Sequence, residues 1–229
     1  MLTFALALIA VVVLLTGYVV GGDARNDLDV PLLDRVASWH GAGLTEAATV
    51  VTHLGGGAAM WTLALLSCGW FARRAQWAEF ALIAGVGLGA AISVRVLKYL
   101  VGRERPPVEG QLVSVADPAY PSGHSLGSAA VVGILATLVA WRVRRRSIVV
   151  TVVAGAVVFV GLVGLSRVYL GVHWPTDVLA GWTVGVLWVV LGVAVYRRFA
   201  TTVSSAAARQ STRGDDSAGK TDSDPRRTC

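Results

Sequence analysis

The chain has 229 residues, of which 55% are hydrophobic and 15% charged, with a mean hydropathy of +0.63. Soluble domains carry roughly 25% charge, and a domain of this length cannot hide so much apolar surface by itself, which excludes a disordered chain, a disulfide scaffold and a soluble enzyme. The formal charge of +6 does not point to nucleic acid, because the basic residues punctuate hydrophobic runs instead of forming a patch.

Six apolar runs are long enough to cross a bilayer core of roughly 30 Å as helices. They lie at about residues 2–20, 50–71, 77–100, 124–141, 148–168 and 176–196. The expected fold is therefore all-α, a polytopic membrane protein of six transmembrane helices. The first run lacks a basic residue ahead of it and exceeds a signal core in length, so it is taken as a membrane helix. Between the first two spans, residues 31–44 predict a short interfacial amphipathic helix, with Leu32, Leu33, Val36 and Trp39 on one face and Asp29 as a cap. His53, Glu46 and Gly55-Gly56-Gly57, in the second span, are read as packing and local polarity. Trp39, Trp77, Trp141 and Trp174 fall near predicted interfaces and are read as anchors. Residues 200–229 are rich in Ser, Thr, Arg, Asp and Gly and predict a disordered tail after a membrane domain over residues 1–199.

Orientation follows from the connectors. Arg73-Arg74, Arg142 with Arg144-Arg145-Arg146, and Arg197-Arg198 follow the second, fourth and sixth runs and fall on one side if the helices alternate. The positive-inside rule makes that side cytoplasmic, with both termini on it. Ionisable residues near membrane depth are costly and informative, and three clusters fall at the opposite, extracytoplasmic ends of the spans. They are Lys98 to Pro106, Pro121-Ser122-Gly123-His124, and Ser166-Arg167 followed by His173 and Asp177.

Lys98, Arg105 and Arg167 supply three cations, enough to hold a tetrahedral dianion and stabilise charge growing on it. Ser122 stands at the expected N-cap of the fourth span, where Gly123 allows close approach and the free amides face an anion. Asp177 follows His173 by four residues and can accept a hydrogen bond from one ring nitrogen, leaving the other free to attack. His124 remains as a proton donor. The sum is a phosphate cage with a nucleophile and its orienter. Arg95, one turn before Lys98, is expected in a structural ion pair or an indirect supporting role, and Arg103 has no assigned role.

Lys-x6-Arg-Pro, Pro-Ser-Gly-His and Ser-Arg-x5-His-x3-Asp, in that order, resemble the signature of the type-2 phosphatidic acid phosphatase superfamily. The resemblance spans residues 98–177 directly and matches every signature position. It implies His173 as a nucleophile forming a phosphohistidine, Asp177 as its orienter and His124 as acid and then base. It also implies phosphoryl binding by Lys98, Arg105, Ser122, Gly123 and Arg167, with Ser166 in support, and no metal or cofactor. The expected function is hydrolysis of a lipid phosphate or diphosphate within a bacterial inner membrane, undecaprenyl diphosphate first. Phosphatidic acid or phosphatidylglycerol phosphate is the alternative, ahead of phosphotransfer or a non-enzymatic lipid transporter. The motifs leave substrate choice and oligomeric state open, and selectivity is placed in residues 107–120 and the apolar walls. Two histidines in opposite protonation states predict a bell-shaped pH dependence around the ordinary histidine range of about 6.5.

Overall fold

The computed structural model describes the backbone of residues 1–22 and 25–218, with side chains described through residue 199 apart from residues 25 and 26. The described residues are mostly helical and contain no strand. Backbone polar groups in hydrocarbon have no water to bond, so apolar runs of this length close their hydrogen bonds internally as helices. The helices are α1 (Leu2–Val20), α2 (Val30–Ala37), α3 (Ala42–Leu54), α4 (Gly57–Arg73), α5 (Trp77–Val101), α6 (Gly123–Arg142), α7 (Arg146–Tyr169) and α8 (Pro175–Ala218). Among the described residues, six helical segments have the length and apolarity of membrane spans, with α3 and α4 together making the second. The expected multi-pass architecture is therefore present.

Several boundaries differ from the expectation. The interfacial helix stops at Ala37 instead of Leu44, and a turn over Ser38 to Gly41 leads straight into α3. That turn is tied to the end of α7: His40 Nε2 lies 2.8 Å from the Tyr169 carbonyl oxygen, and the Gly41 N–H donates to the Tyr169 hydroxyl at 3.1 Å. The second span thus begins at Ala42 and breaks at Gly55-Gly56 before α4. Asp29 stands at the expected N-cap position of α2 but makes no capping side-chain hydrogen bond there; its buried carboxylate turns to the region described below. Residues 200–218 lie in the backbone of α8, and the rest of the expected tail, 219–229, lies outside the described residues.

Met1–Gly192 form one compact unit, and Val193–Cys229 a second. Within the first, α6 is the central helix: 44% of its apolar stretch is buried inside the protein, against 11% for α1 and for α7, whose flanks are left for lipid. Its inward face is lined by small residues, among them Ser125, Ser128, Ala129 and Ala130. This lets α8 cross at backbone contact, because a Cβ on Gly181 would stand 2.7 Å from the Ser122 carbonyl oxygen and one on Gly185 2.6 Å from the Ala129 Cβ. Small residues at such crossings are how helices approach closely where the hydrophobic effect cannot drive them together.

The ends of the helices sort the polar residues. Arg73 and Arg74 end α4, and Arg142 ends α6, where it pairs with Glu79 at 2.8 Å and lies over the Phe71 ring. The opposite ends of α5, α6, α7 and α8 converge with the three motif clusters. Gly102 stops α5 there in a left-handed conformation, φ 58°, returning its N–H to the Lys98 carbonyl. Glycine takes this conformation without the Cβ clash of other residues. Arg103, Glu104 and Arg105 are thereby turned back over the helix ends.

Candidate active site

Six of the eight expected site residues line one cavity of about 300 Å³: Lys98, Arg105, Gly123, His124, Arg167 and His173. The other two, Ser122 and Asp177, are fully buried behind its wall. Ser122 caps α6, its hydroxyl oxygen accepting from the Ser125 N–H at 3.4 Å, and its own N–H donates to the Asp177 carbonyl at 3.0 Å. Gly123 and His124 then begin α6, so that helix's free amides face the cavity. His124 makes no hydrogen bond among the described residues, and its ring lies close to the backbone of Gly56.

His173 sits just ahead of α8 with 2% of its surface exposed. Its Nδ1 is 3.4 Å from Asp177 Oδ2, and its Nε2 is 3.2 Å from Arg105 Nη1. A guanidinium only donates. Nε2 therefore carries the lone pair, and Nδ1 carries the proton given to Asp177. This is the tautomer a nitrogen nucleophile requires. Burial pushes the His173 pKa down to about 4, and the charges of Arg105 and Arg167 act in the same direction, against the bond to Asp177. The ring is thus neutral across the ordinary histidine range.

The cations hold distinct positions. Arg167, 4% exposed, donates from Nη1 to the Thr52 hydroxyl at 2.8 Å, while its buried Nε has no partner. Leaving such a donor unpaired costs roughly 1–3 kcal/mol, so the arrangement favours any anion that fills the cavity. Lys98 and Arg105 both reach Asp117, at 2.7 and 2.8 Å, and Lys98 also donates to the Pro118 carbonyl. Burial opposes ionisation of Asp117, but the hydrogen bond and charge of Lys98, with those of Arg105, outweigh it and hold its pKa down to about 2. Its carboxylate occupies, between two cations, the place an anionic ligand would take.

Five residues outside the motif positions complete the site: Asp29, Arg103, Thr176, Thr52 and Asp117. Asp177 Oδ1 accepts from Arg103 Nη1 at 2.6 Å, and Arg103 Nη2 donates to Asp29 Oδ2 at 2.5 Å. Asp29 in turn accepts from the backbone N–H and the hydroxyl of Thr176 at 2.9 and 2.7 Å. Asp29, Arg103, Thr176 and Asp177 are all buried, and their bonds run continuously from the α1–α2 connection to the His173 orienter. Thr52 and Asp117 add the contacts already described. Arg103, left without a role by the sequence, is the centre of this network. Trp174, expected as an interfacial anchor, is instead 4% exposed and donates its indole N–H to the Glu104 carbonyl at 2.9 Å. Arg95 forms no ion pair among the described residues.

Residues 78–200, more than half of the chain, match the PAP2 superfamily. The chain belongs to this family. A relative, phosphatidylglycerophosphatase B of Bacillus subtilis, is 34% identical over 148 residues, which are 63% of this chain and 71% of the relative. The decaprenylphosphoryl-5-phosphoribose phosphatase of Mycolicibacterium smegmatis is 34% identical over 166 residues, 69% of this chain and 83% of the relative. Among solved structures, the transmembrane PAP2 type phosphatidylglycerolphosphate phosphatase from Bacillus subtilis superposes with a TM-score of 0.76 at 28% identity, covering 85% of this chain and 96% of that one. PAP2 membership makes this chain a membrane phosphatase, as its motif order implies.

Proposed function

We propose that the chain removes the terminal phosphate of a membrane lipid through a phosphohistidine on His173, on the extracytoplasmic side of a bacterial inner membrane. The observation that carries this reading is the shape of the cavity. From the cationic cage it continues into an apolar groove between α4, α5 and α6, walled by Met60, Ala64, Ala91, Val94 and Val131 among others. The α5 wall alone runs from Gly87 to Lys98, about 16 Å of helix, room for a hydrocarbon chain below a phosphate. A soluble phosphate ester would not need that wall. Placement of the site away from Arg73, Arg74 and Arg142–Arg146 supports the extracytoplasmic side by the positive-inside rule.

The chemistry assigns one role to each residue. The His173 Nε2 lone pair attacks phosphorus, and the bond from phosphorus to the lipid oxygen breaks. His124 gives its proton to that oxygen. Lys98, Arg105, Arg167 and the α6 amides, with Gly123 at their head and Ser122 holding the turn, take up the charge on the phosphoryl oxygens. Arg105 moves its bond from Nε2 to the phosphoryl group as the substrate enters, and Asp117 gives way. Water then attacks the phosphohistidine while His124, now neutral, takes its proton, and inorganic phosphate leaves with His173 restored. Asp177 holds the ring throughout. No step calls for a metal, and residues 1–199 hold every group named.

Undecaprenyl diphosphate and phosphatidylglycerol phosphate are the leading substrates. The first suits an outward-facing site in a cell-wall-building membrane, and the second is supported by the name of the Bacillus relative. The test is phosphate release from both lipids in mixed micelles containing EDTA. Wild type releases phosphate, and His173→Ala falls to the uncatalysed rate. Release that depends on added magnesium, or survives in His173→Ala, would overturn the scheme. Appearance of the phosphoryl group on an added alcohol in place of free phosphate would mark a phosphotransferase.

A further inference from the structure

We propose that Arg95 is a second anion site, which binds a lipid-proximal phosphate and selects lipids carrying two phosphate groups. The inference rests on the lipid phosphatase reading and deepens it. Along α5, Gly87, Ala90, Ala91, Val94, Arg95 and Lys98 all line the cavity, at the spacing of a single helix face. Arg95 therefore stands one turn, about 4.5 Å, from Lys98 toward the apolar part of the groove. It marks the boundary between cage and hydrocarbon wall.

An arginine at this depth is costly unless something compensates its charge. Arg95 is exposed into the cavity and makes no hydrogen bond or ion pair among the described residues. The charge of the whole cavity agrees. Four cationic side chains, Arg95, Lys98, Arg105 and Arg167, line it, and Asp117 is the one carboxylate among the lining residues. That leaves three positive charges apart from the His124 proton that goes to the leaving oxygen, whereas one phosphomonoester brings at most about two negative ones. An alkyl diphosphate, or a phosphomonoester joined to a phosphodiester, brings about three. In both, the second phosphate lies on the lipid side of the first, where Arg95 stands. Reacting atoms stay at His173, so Arg95 sets specificity and takes no part in bond breaking.

The experiment compares full-length wild type with Arg95→Ala and Arg95→Lys on two lipid pairs with matched tails. One pair is undecaprenyl diphosphate and undecaprenyl monophosphate, and the other phosphatidylglycerol phosphate and phosphatidic acid. Read as the ratio of kcat/KM within each pair, Arg95→Ala lowers the preference for the two-phosphate member about ten- to a hundredfold, the worth of a charge-assisted hydrogen bond. Arg95→Lys recovers part of that ratio, because the point charge survives without the bidentate fork. Rates that fall equally on both members would mean that Arg95 only supports the fold or snorkels to headgroups, and would overturn the assignment. So would an unchanged ratio with unchanged rates. Failure of wild type to release phosphate from any of these lipids would instead overturn the phosphatase reading itself.

Discussion

Asp177 accepts from the Trp174 N–H at 2.9 Å, from Arg103 at 2.6 Å and from His173 at 3.4 Å, so its carboxylate has little freedom to turn away from the imidazole. Arg103 divides its charge between Asp177 and Asp29, both fully buried. Removing one member of a buried ionic group leaves the others uncompensated, at a cost of about 3–5 kcal/mol. Asp29→Ala is expected to lower stability by that amount in thermal unfolding of the detergent-solubilised protein, although Asp29 touches neither histidine ring. An unchanged midpoint would show that Arg103 is satisfied by Asp177 alone. For His173, a pKa of about 4 lies below the ordinary value of about 6.5, so the attacking form is populated throughout the neutral range and is lost only as pH falls toward 4. The acid limb of the bell expected around 6.5 from two unperturbed histidines is thus moved down toward pH 4 by burial. Titration of isotope-labelled histidines by NMR checks this directly: a His173 midpoint near 4 agrees, and one at 6.5 or above does not. The motif residues were legible because each cluster is nearly contiguous. Asp29 was not, since its partners Arg103 and Thr176 lie 74 and 147 residues away, and nothing in the local pattern separates a distant ion-pair partner from a helix cap.

At the scale of elements, the site is a meeting of helix ends. α5 brings Lys98 in its last turn, α6 brings Gly123 and His124 in its first, α7 brings Arg167 in its last, and α8 begins one residue beyond Trp174 with Asp177 in its first turn. This convergence was readable from six apolar runs and their alternation. The break between α3 and α4 was not. Gly55-Gly56-Gly57 allows close helix approach wherever it falls, and only the neighbours reveal what uses it: a Cβ on Gly55 would stand 2.4 Å from the Val163 side chain. Through this close contact α3 lies against α7, where Thr52 meets Arg167. The segment between α5 and α6 was expected to hold selectivity, and it supplies Asp117 to the cage. Because that carboxylate uses the same donors as a bound phosphate, Asp117→Asn is expected to strengthen inhibition by inorganic phosphate several-fold, by roughly the 1 kcal/mol of a surface ion pair. Weaker inhibition in the variant would instead make Asp117 a scaffold that positions Lys98 and Arg105.

On the scale of the whole molecule, a low content of charge is concentrated at the two ends of an apolar bundle. One end carries Arg73, Arg74 and Arg142–Arg146, as the positive-inside rule asks of a cytoplasmic face. The other carries the histidines, the cage and the Asp29–Arg103–Asp177 chain. Between them a groove walled by small and apolar residues joins the phosphate cage to the lipid-facing interior. These features account together for a phosphatase built into a membrane: the lipid tail stays in hydrocarbon while its headgroup meets a preorganised anion site. Everything in the account depends on His173 forming the covalent intermediate. The most direct test is to mix full-length protein with a lipid whose terminal phosphate is radiolabelled, quench rapidly in base and look for label on the chain. The account predicts base-stable, acid-labile label on His173 of the wild type and none in His173→Ala. Turnover with no label on the protein, or label that persists in His173→Ala, would contradict it.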